Sequence, residues 1–323
     1  MAPALRHVSL PEIDLQDRTF VATYRPDIHV LQQSIAQVGV LTPVHLRQSS
    51  AKAPLQIVAG WKRCIACQDT GQAHVPAVVY HTTELSDQQA CLLALHDNLG
   101  CRTFNAIEKA RLLHCLQQQG HYTPTTVLHE FCPLLGLPPR PETLTTYSTL
   151  LTVDDALQAA VAEGVLPLET VLWMTAYPVQ DQAALCDLFT GLKVGVNRAR
   201  ECATAIDEIC RRDACSPTAL LHRLGVSAML AAEQLSGPQK IEQLRRVLHQ
   251  ARYPRLSAHE ARFHDAVRRL RLPPPISLRP TPYFEGPYQI TLSFRQRQEL
   301  QHYAQRLLDA ADHEALKVLL DLL

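Results

Sequence analysis

Apolar residues recur at helical spacing along most of the chain, and only a few short alternating or apolar runs interrupt them in its first eighty residues. Val8 to Ile13 predicts a first strand, followed by a polar turn from Asp14 to Arg18. Ile28, Leu31, Ile35 and Val38 share one helical face, with Asp27 placed to cap it, Gly39 to end it and Pro43 to forbid its continuation. Val44 to Arg47 alternates as a strand, and Leu55 to Ala59 is a buried one. A helix from Trp61 to Thr70 follows, stopped by Gly71. Val75 to Tyr80 is a further strand, with Pro76 near its start in the manner of an edge strand. Ser86 caps a helix with Leu92, Leu93 and Leu95 on its apolar side. Asn105 and Glu108 form a capping box for the next, which carries Ala110, Leu112, Leu113 and Leu116 and stops at Gly120.

From Tyr122 onward the period is helical. Thr125 to Phe131 and Glu142 to Leu151 flank a Gly136-Leu137-Pro138-Pro139 turn, the outline of a helix-turn-helix. Asp154 to Glu163, Pro167 to Met174, Val179 to Leu192 and Asn197 to Arg212 extend the bundle. Cys215-Ser216-Pro217 opens a third region with amphipathic helices over Pro238 to Gln250 and Ser257 to Arg271. Pro273, Pro274, Pro275, Pro280, Pro282 and Pro287 predict a stiff extended connector. An alternating strand from Tyr288 to Phe294 and a Leu-rich C-terminal helix follow; that helix is either a dimerisation element or a docked end. The expected class is α+β: a small mixed N-terminal domain over 1–120, an all-α helix-turn-helix domain over 121–213, and a mostly helical C-terminal region over 214–323.

Composition narrows the function classes. Of the 323 residues 46% are hydrophobic and 19% charged, enough apolar material for a substantial core. No apolar run reaches the roughly 18 residues of a membrane span. Met1 to Leu10 lacks a signal-peptide h-region, so the expectation is a cytoplasmic protein with reduced cysteines. The net charge of +0 excludes a chain that binds nucleic acid through bulk charge. Distribution matters more. Between His121 and Thr170 the only cation is Arg140, whereas arginines crowd the stretch after Lys240, from Arg245 to Arg271.

The candidate chemistry centres on Gly60-Trp61-Lys62-Arg63. A glycine turn feeding a helix start presents free N–H groups and positive potential, and Lys62 and Arg63 add formal charge. That combination suits a phosphate. Cys64 and Cys67 form a C-x-x-C pair, but Cys91, Cys101, His114 and Cys115 lack zinc spacing, and buried structural thiols are the expected reading.

In their order, four pieces between Val8 and Arg200 resemble the ParB family of chromosome and plasmid partition proteins. Ser34-Ile35 through Gly39 to Pro43-Val44 is similar to its S-I-x-x-x-G-x-x-x-P-V motif, and Gly60 to Ala66 to G-E-R-R-x-R-A. Asp97 to Cys101 resembles E-N-x-Q-R, with Asn105 to Ala110 resembling the N-P-I-E-E-A that follows. Leu150 to Leu166 resembles the segment after the family's helix-turn-helix. The resemblance implies a ParB/sulfiredoxin-like N-terminal domain that binds CTP with Mg²⁺ and clamps DNA, in a protein that binds DNA for partition or for transcriptional regulation. By that resemblance Arg18, Gly39, Pro43, Gly60, Lys62 and Arg63 hold nucleotide, and Asp97 and Asn98 hold Mg²⁺. The family's recognition helix corresponds here to Thr143, Thr145, Thr146, Tyr147 and Ser148 with Arg140 just ahead, which offer hydroxyls to DNA but few cations. Either DNA contacts come from other surfaces such as Arg198, Arg200, Arg211 and Arg212, or the module binds protein. The resemblance also implies a homodimer and a ParA-like ATPase partner.

The motifs depart from the family at four positions. Trp61 stands for the acid and Lys62 for the first arginine of G-E-R-R, while Gly100 and Cys101 replace glutamine and arginine, leaving Arg102 displaced by one position. Lysine keeps the charge without the bidentate fork, which favours nucleotide binding over hydrolysis. Trp61 can pack in the core or stack on a base. Two other readings stand beside this one. The acid-rich middle suits a nucleotide-independent interaction module that has lost DNA binding. The same fold supports sulfiredoxin-like or small-molecule-kinase activity, with Cys64 as the residue to examine.

Overall fold

The structure is a computed structural model describing residues 4–50, 52–192, 194–281 and 286–322. By contacts the chain falls into two compact units, Met1–Arg200 and Glu201–Leu323, the division lying within one helix, Val196–Asp213.

The first unit begins with a five-stranded mixed sheet. Its strands are β1 (Ala4–Ser9), β2 (Ile13–Asp14), β3 (Val44–Gln48), β4 (Leu55–Ala59) and β5 (His74–His81). They lie in the order β1-β5-β3-β4-β2. The β1–β5 and β3–β4 pairs are antiparallel, and β3–β5 and β2–β4 parallel. Helices α1 (His29–Val38), α2 (Trp61–Asp69), α3 (Asp87–Leu99) and α4 (Ala106–Gln118) accompany the sheet. Val44, Leu46, Leu55 and Ile57 from the sheet are fully sequestered with Cys64, Ala66 and Cys67 of α2. Each large side chain buried there contributes on the order of 2 kcal/mol relative to exposure.

The helical remainder of this unit starts with α5 (Pro124–Thr126), a π turn at Val127–Phe131, and α6 (Cys132–Leu134). It continues through α7 (Pro141–Leu150), α8 (Asp155–Ala162), α9 (Leu168–Met174), α10 (Val179–Leu192) and the start of α11 (Val196–Asp213). Leu150, Leu157, Met174, Leu185 and Phe189 fill its core.

The second unit holds the rest of α11, then α12 (Pro217–Arg223), α13 (Val226–Ala231), α14 (Gly237–Arg252) and α15 (Pro254–Leu270). A two-stranded antiparallel hairpin, β6 (Ile276–Arg279) and β7 (Gln289–Leu292), precedes α16 (Arg297–Ala311) and α17 (Glu314–Leu320). Phe263, Leu270, Leu278 and Leu319 form its apolar cluster. Part of the arginine-rich stretch is spent on ion pairs here, Arg245 with Glu201 at 3.0 Å and Arg252 with Glu208 at 2.5 Å.

Local signals land where the pattern puts them. Ser86 caps α3 and Asn105 caps α4, each with a complete capping box, and Gly39, Gly60, Gly71 and Gly164 take positive φ. Four expectations change. The Val8 to Ile13 strand is broken, because Pro11 belongs to a 3-10 turn at Leu10–Glu12 that separates β1 from β2. Asp27 does not cap α1 from the N-cap position, which Ile28 takes; its carboxylate accepts the His29 N–H at 3.0 Å from one residue further out. Pro76 is not on an edge: β5 lies between β1 and β3, and Pro76 falls one residue before the β3 ladder opens at Val44 opposite Ala77. The proline-rich connector is not simply extended, since its Ile276–Arg279 stretch pairs with β7; Pro282 lies outside the described residues.

Candidate functional site

The β4–α2 junction is built from steric necessity. Gly60 has a φ of 98°, and a Cβ there would stand 2.6 Å from Val44 Cγ1. The backbone turns at that point, and the Arg63 and Cys64 N–H groups fold back onto the Gly60 carbonyl at 2.9 and 3.2 Å. The N–H groups of Trp61 and Lys62 precede those bonds and belong to the unsatisfied start of the helix.

Around this turn lies a pocket of about 230 Å³, walled by the Phe20 to Thr23 loop, Gly60 to Arg63, and Asp97, Asn98 and Arg102 at the end of α3. It unites Gly60, Lys62, Arg63, Asp97 and Asn98 from the expected set; Gly39 and Pro43 do not line it. Lys62 is half-buried, and among the described residues its ammonium has no hydrogen-bond or ion-pair partner. Burial and the neighbouring Arg102 push its pKa down, partly opposed by Glu108.

Arg63 is differently employed. Its Nη1 donates to the Thr42 and Pro43 carbonyls, both at 2.7 Å, and its Nη2 meets Asp97 at 3.2 Å. It therefore ties the start of β3 to α2 and α3, and Pro43 takes part through its carbonyl. Asp97 and Asn98 are engaged too: Asn98 Oδ1 accepts from Arg102 Nε at 3.1 Å. Guanidinium groups thus occupy the oxygens assigned to Mg²⁺, and among the described residues no group of three His, Cys, Asp or Glu side chains is placed to hold a metal. The pair does not fit as a protein-built Mg²⁺ site, which would need water or phosphate oxygens to complete it.

Arg102 is the residue the motif comparison underrated. The Cys101 and Arg102 N–H groups both donate to the Asn98 carbonyl at 3.2 Å, so one more helical turn returns the displaced arginine to the pocket. Its guanidinium bonds Glu108 at 2.6 Å and Thr23 Oγ1 at 3.1 Å. The signal available in sequence was the spacing from Asn98, which is four residues on a helix.

Trp61 packs. It lies against the sheet core, donates from Nε1 to the Leu15 carbonyl at 3.1 Å, and has the Arg18 guanidinium 4.0 Å from its ring centroid. Arg18 consequently does not line this pocket. Cys64 is fully buried and its thiol is pushed up to about 12 by burial, the opposite of an activated nucleophile.

In the helix-turn-helix region, Thr143 and Tyr147 turn inward and are buried, and Thr143 Oγ1 donates to the Pro138 carbonyl at 2.7 Å. Their inward positions withdraw them from the expected DNA contacts. Arg140 and Thr145 are exposed and Thr146 half-exposed. Arg198 and Arg200 are exposed, with Arg200 paired to Glu169. Arg211 pairs with Asp207 at 3.1 Å and Arg212 with Asp213 at 2.7 Å. On the sheet side, Tyr24 Oη donates to Asp155 at 2.7 Å and Arg25 pairs with the same carboxylate, clasping the first residue of α8.

Comparison with known proteins places this arrangement. The sheet, α2 and α3 fall within residues 4–99, which match the ParB N-terminal domain. The N-terminal part of the chain is therefore of the ParB N-terminal domain type, and the chain is similar over that part to chromosome-partitioning proteins. Over 138 residues it is 29% identical to a probable chromosome-partitioning protein ParB of Pseudomonas putida, covering 43% of this chain and 44% of that one. Over 117 residues it is 30% identical to the corresponding protein of Neisseria meningitidis, covering 35% and 40%. The matched segment is thus less than half the length of these relatives. Two crystal structures of C-terminally truncated ParB from Caulobacter crescentus are also similar, each at 24% identity. The complex with CTP-γ-S covers 58% of this chain and 98% of that one at a TM-score of 0.26. The complex with the centromeric parS site covers 62% and 97% at a TM-score of 0.30. Among the described residues no helix is long and apolar enough to cross a membrane.

Proposed function

We propose that this chain is a chromosome- or plasmid-partitioning DNA-binding protein of the ParB type, whose N-terminal pocket takes the phosphates of a cytidine nucleotide. The observation that carries the reading is Lys62: a half-buried ammonium with no partner among the described residues, beside the open N–H groups of α2 and inside a pocket. A phosphate would meet backbone donors, helix dipole and a free cation together. The named relatives support partition as the context. Hydrolysis is not part of the proposal, because Trp61 packs where the family motif has its acid and no carboxylate in the pocket is free of a guanidinium.

Lys62→Ala is the variant that tests this, rather than Arg63→Ala, since Arg63 holds three structural bonds while Lys62 holds none among the described residues. Calorimetric titration with CTP, with and without Mg²⁺, is expected to show binding by the wild type that falls at least tenfold in Lys62→Ala. Absence of binding by the folded wild type, or full binding by Lys62→Ala, overturns the reading.

DNA contact is assigned to the exposed Arg140, Thr145 and Thr146, with Arg198 and Arg200 alongside. The shortage of cations on α7 favours weak DNA binding or a protein partner in its place, since counterion release dominates DNA affinity. Gel-shift with DNA at low salt separates the two: no shift of any sequence supports the interaction module. A homodimer is proposed through the second unit, where α16 buries no residue and exposes Leu300 and Leu308; sedimentation of the full chain tests it.

A further inference from the structure

Beside the first pocket lies a second cavity, of about 350 Å³, between the Arg18 to Ala22 loop and α4. Its lining includes Arg18, Thr19, Arg111, His114, Cys115 and Gln119, and among the described residues no carboxylate lines it. The two arginines converge: Arg18 Nη2 and Arg111 Nη1 both donate to the single Thr23 carbonyl, the second at 3.0 Å. Arg18 is fixed in place by Trp61, whose ring lies beneath its guanidinium. Arg18 Nε is buried and has no hydrogen-bond partner among the described residues. Two guanidinium groups are brought together in a walled space on one neutral acceptor; Glu108 and Asp155 offset part of the Arg111 charge, whereas the orphaned Nε of Arg18 leaves a donor unanswered. Burial and the proximity of Arg111 depress the pKa of Arg18, as expected of a cation lacking a counter-charge.

We infer that this cavity is a second anion site, separate from the Lys62 pocket, which binds the phosphate group of a small phosphorylated molecule between Arg18 and Arg111. A phosphate offers acceptor oxygens to both forks and to the orphaned Nε. Phe20 and Leu112 on the same walls provide apolar surface for the rest of such a ligand. The volume suits a small molecule.

Calorimetric titration of the full chain with inorganic pyrophosphate tests the site, alone and in the presence of saturating CTP. The expected result, under saturating CTP, is pyrophosphate binding by the wild type that weakens at least tenfold in Arg18→Gln and in Arg111→Gln, recovers in part in Arg18→Lys, and is unchanged in Lys62→Ala. Far-UV circular dichroism and thermal melts select the variants that retain the fold, and Arg18→Lys keeps the charge if Arg18→Gln does not fold. Pyrophosphate binding that persists under saturating CTP identifies a ligand distinct from a nucleotide in the first pocket. Three outcomes overturn the inference: no binding by the folded wild type; loss in Lys62→Ala with the arginine variants unaffected; or mutual exclusion of pyrophosphate and CTP with both requiring Arg18 and Arg111, which would make the two cavities one nucleotide site. Failure of CTP to bind while pyrophosphate binding still depends on Arg18 and Arg111 would sink the proposed function alone and leave this site standing.

Discussion

Replacing Glu108 with alanine removes a helix cap and a tie between distant parts of the chain in one step. The carboxylate accepts the Tyr24 N–H at 3.2 Å, the Asn105 N–H at 3.2 Å and Arg102 Nη1 at 2.6 Å. The ion pair is largely withdrawn from water, with side-chain exposures of 5% for Glu108 and 19% for Arg102. Breaking such a pair from one side typically costs about 3–5 kcal/mol, because the remaining charge stays desolvated. Arg102 retains Asn98 and Thr23 as acceptors, which sets the expected loss near the lower end, about 3 kcal/mol. Glu108→Gln keeps an acceptor without the charge and should cost about 1–2 kcal/mol. The assay is guanidinium unfolding followed by circular dichroism, where a drop in midpoint at unchanged slope reports stability alone. A double-mutant cycle with Arg102→Met should give a coupling of about 1–3 kcal/mol. A Glu108→Ala loss under about 1 kcal/mol, or no coupling to Arg102, would refute the reasoning by showing that the pair is solvated in solution.

Gly60→Ala should destabilise by about 2–4 kcal/mol, from left-handed strain plus contact with Val44, whereas Gly39→Ala, with open space around it, should lose only about 1–2 kcal/mol; equal thermal shifts would contradict the assigned packing. Tyr147→Ala should cost about 3–5 kcal/mol as a buried aromatic, while Thr145→Ala stays within about 0.5 kcal/mol of wild type; the reverse order of melting temperatures would mean that α7 presents its other face. Burial, and then Asp155, raises the Tyr24 hydroxyl to about 12 from its ordinary 10. The folded state therefore holds a proton that the unfolded chain releases, so this contribution is complete below pH 10 and lost between pH 10 and 12. Denaturation of wild type and Tyr24→Phe across that window should show a steeper decline for the wild type; parallel declines count against the Tyr24–Asp155 bond.

What could be read in advance follows the range of the interaction. The boxes Ser86–Gln89 and Asn105–Glu108 act over three residues, and the Gly60 turn is fixed by a single backbone angle, so a local pattern suffices for them. Pro76 was misplaced because strand neighbours are chosen by pairing at long range: β1 reaches β5 across about seventy residues. The burial of Thr143 and Tyr147 has no local signal, because a polar helix face and a half-buried one look alike when threonines and tyrosine compose both. At the candidate site the residue types were legible but their engagement was not. Nothing local separates Lys62, with no partner among the described residues, from Arg63, whose partners Thr42, Pro43 and Asp97 come from the loop before β3 and from α3.

The segment from Phe20 to Arg25 serves two masters. One end walls the pocket around the Gly60 turn, and at the other Tyr24 and Arg25 grip Asp155 at the head of α8. Thermodynamic reciprocity then applies: a ligand that favours one placement of this segment changes the strength of the Asp155 grip, and anything that loosens the grip changes ligand affinity by the same factor. Asp155→Asn, at a residue that lines neither cavity, thereby becomes a handle on affinity, and the helical part of this unit can be informed of occupancy without touching the ligand.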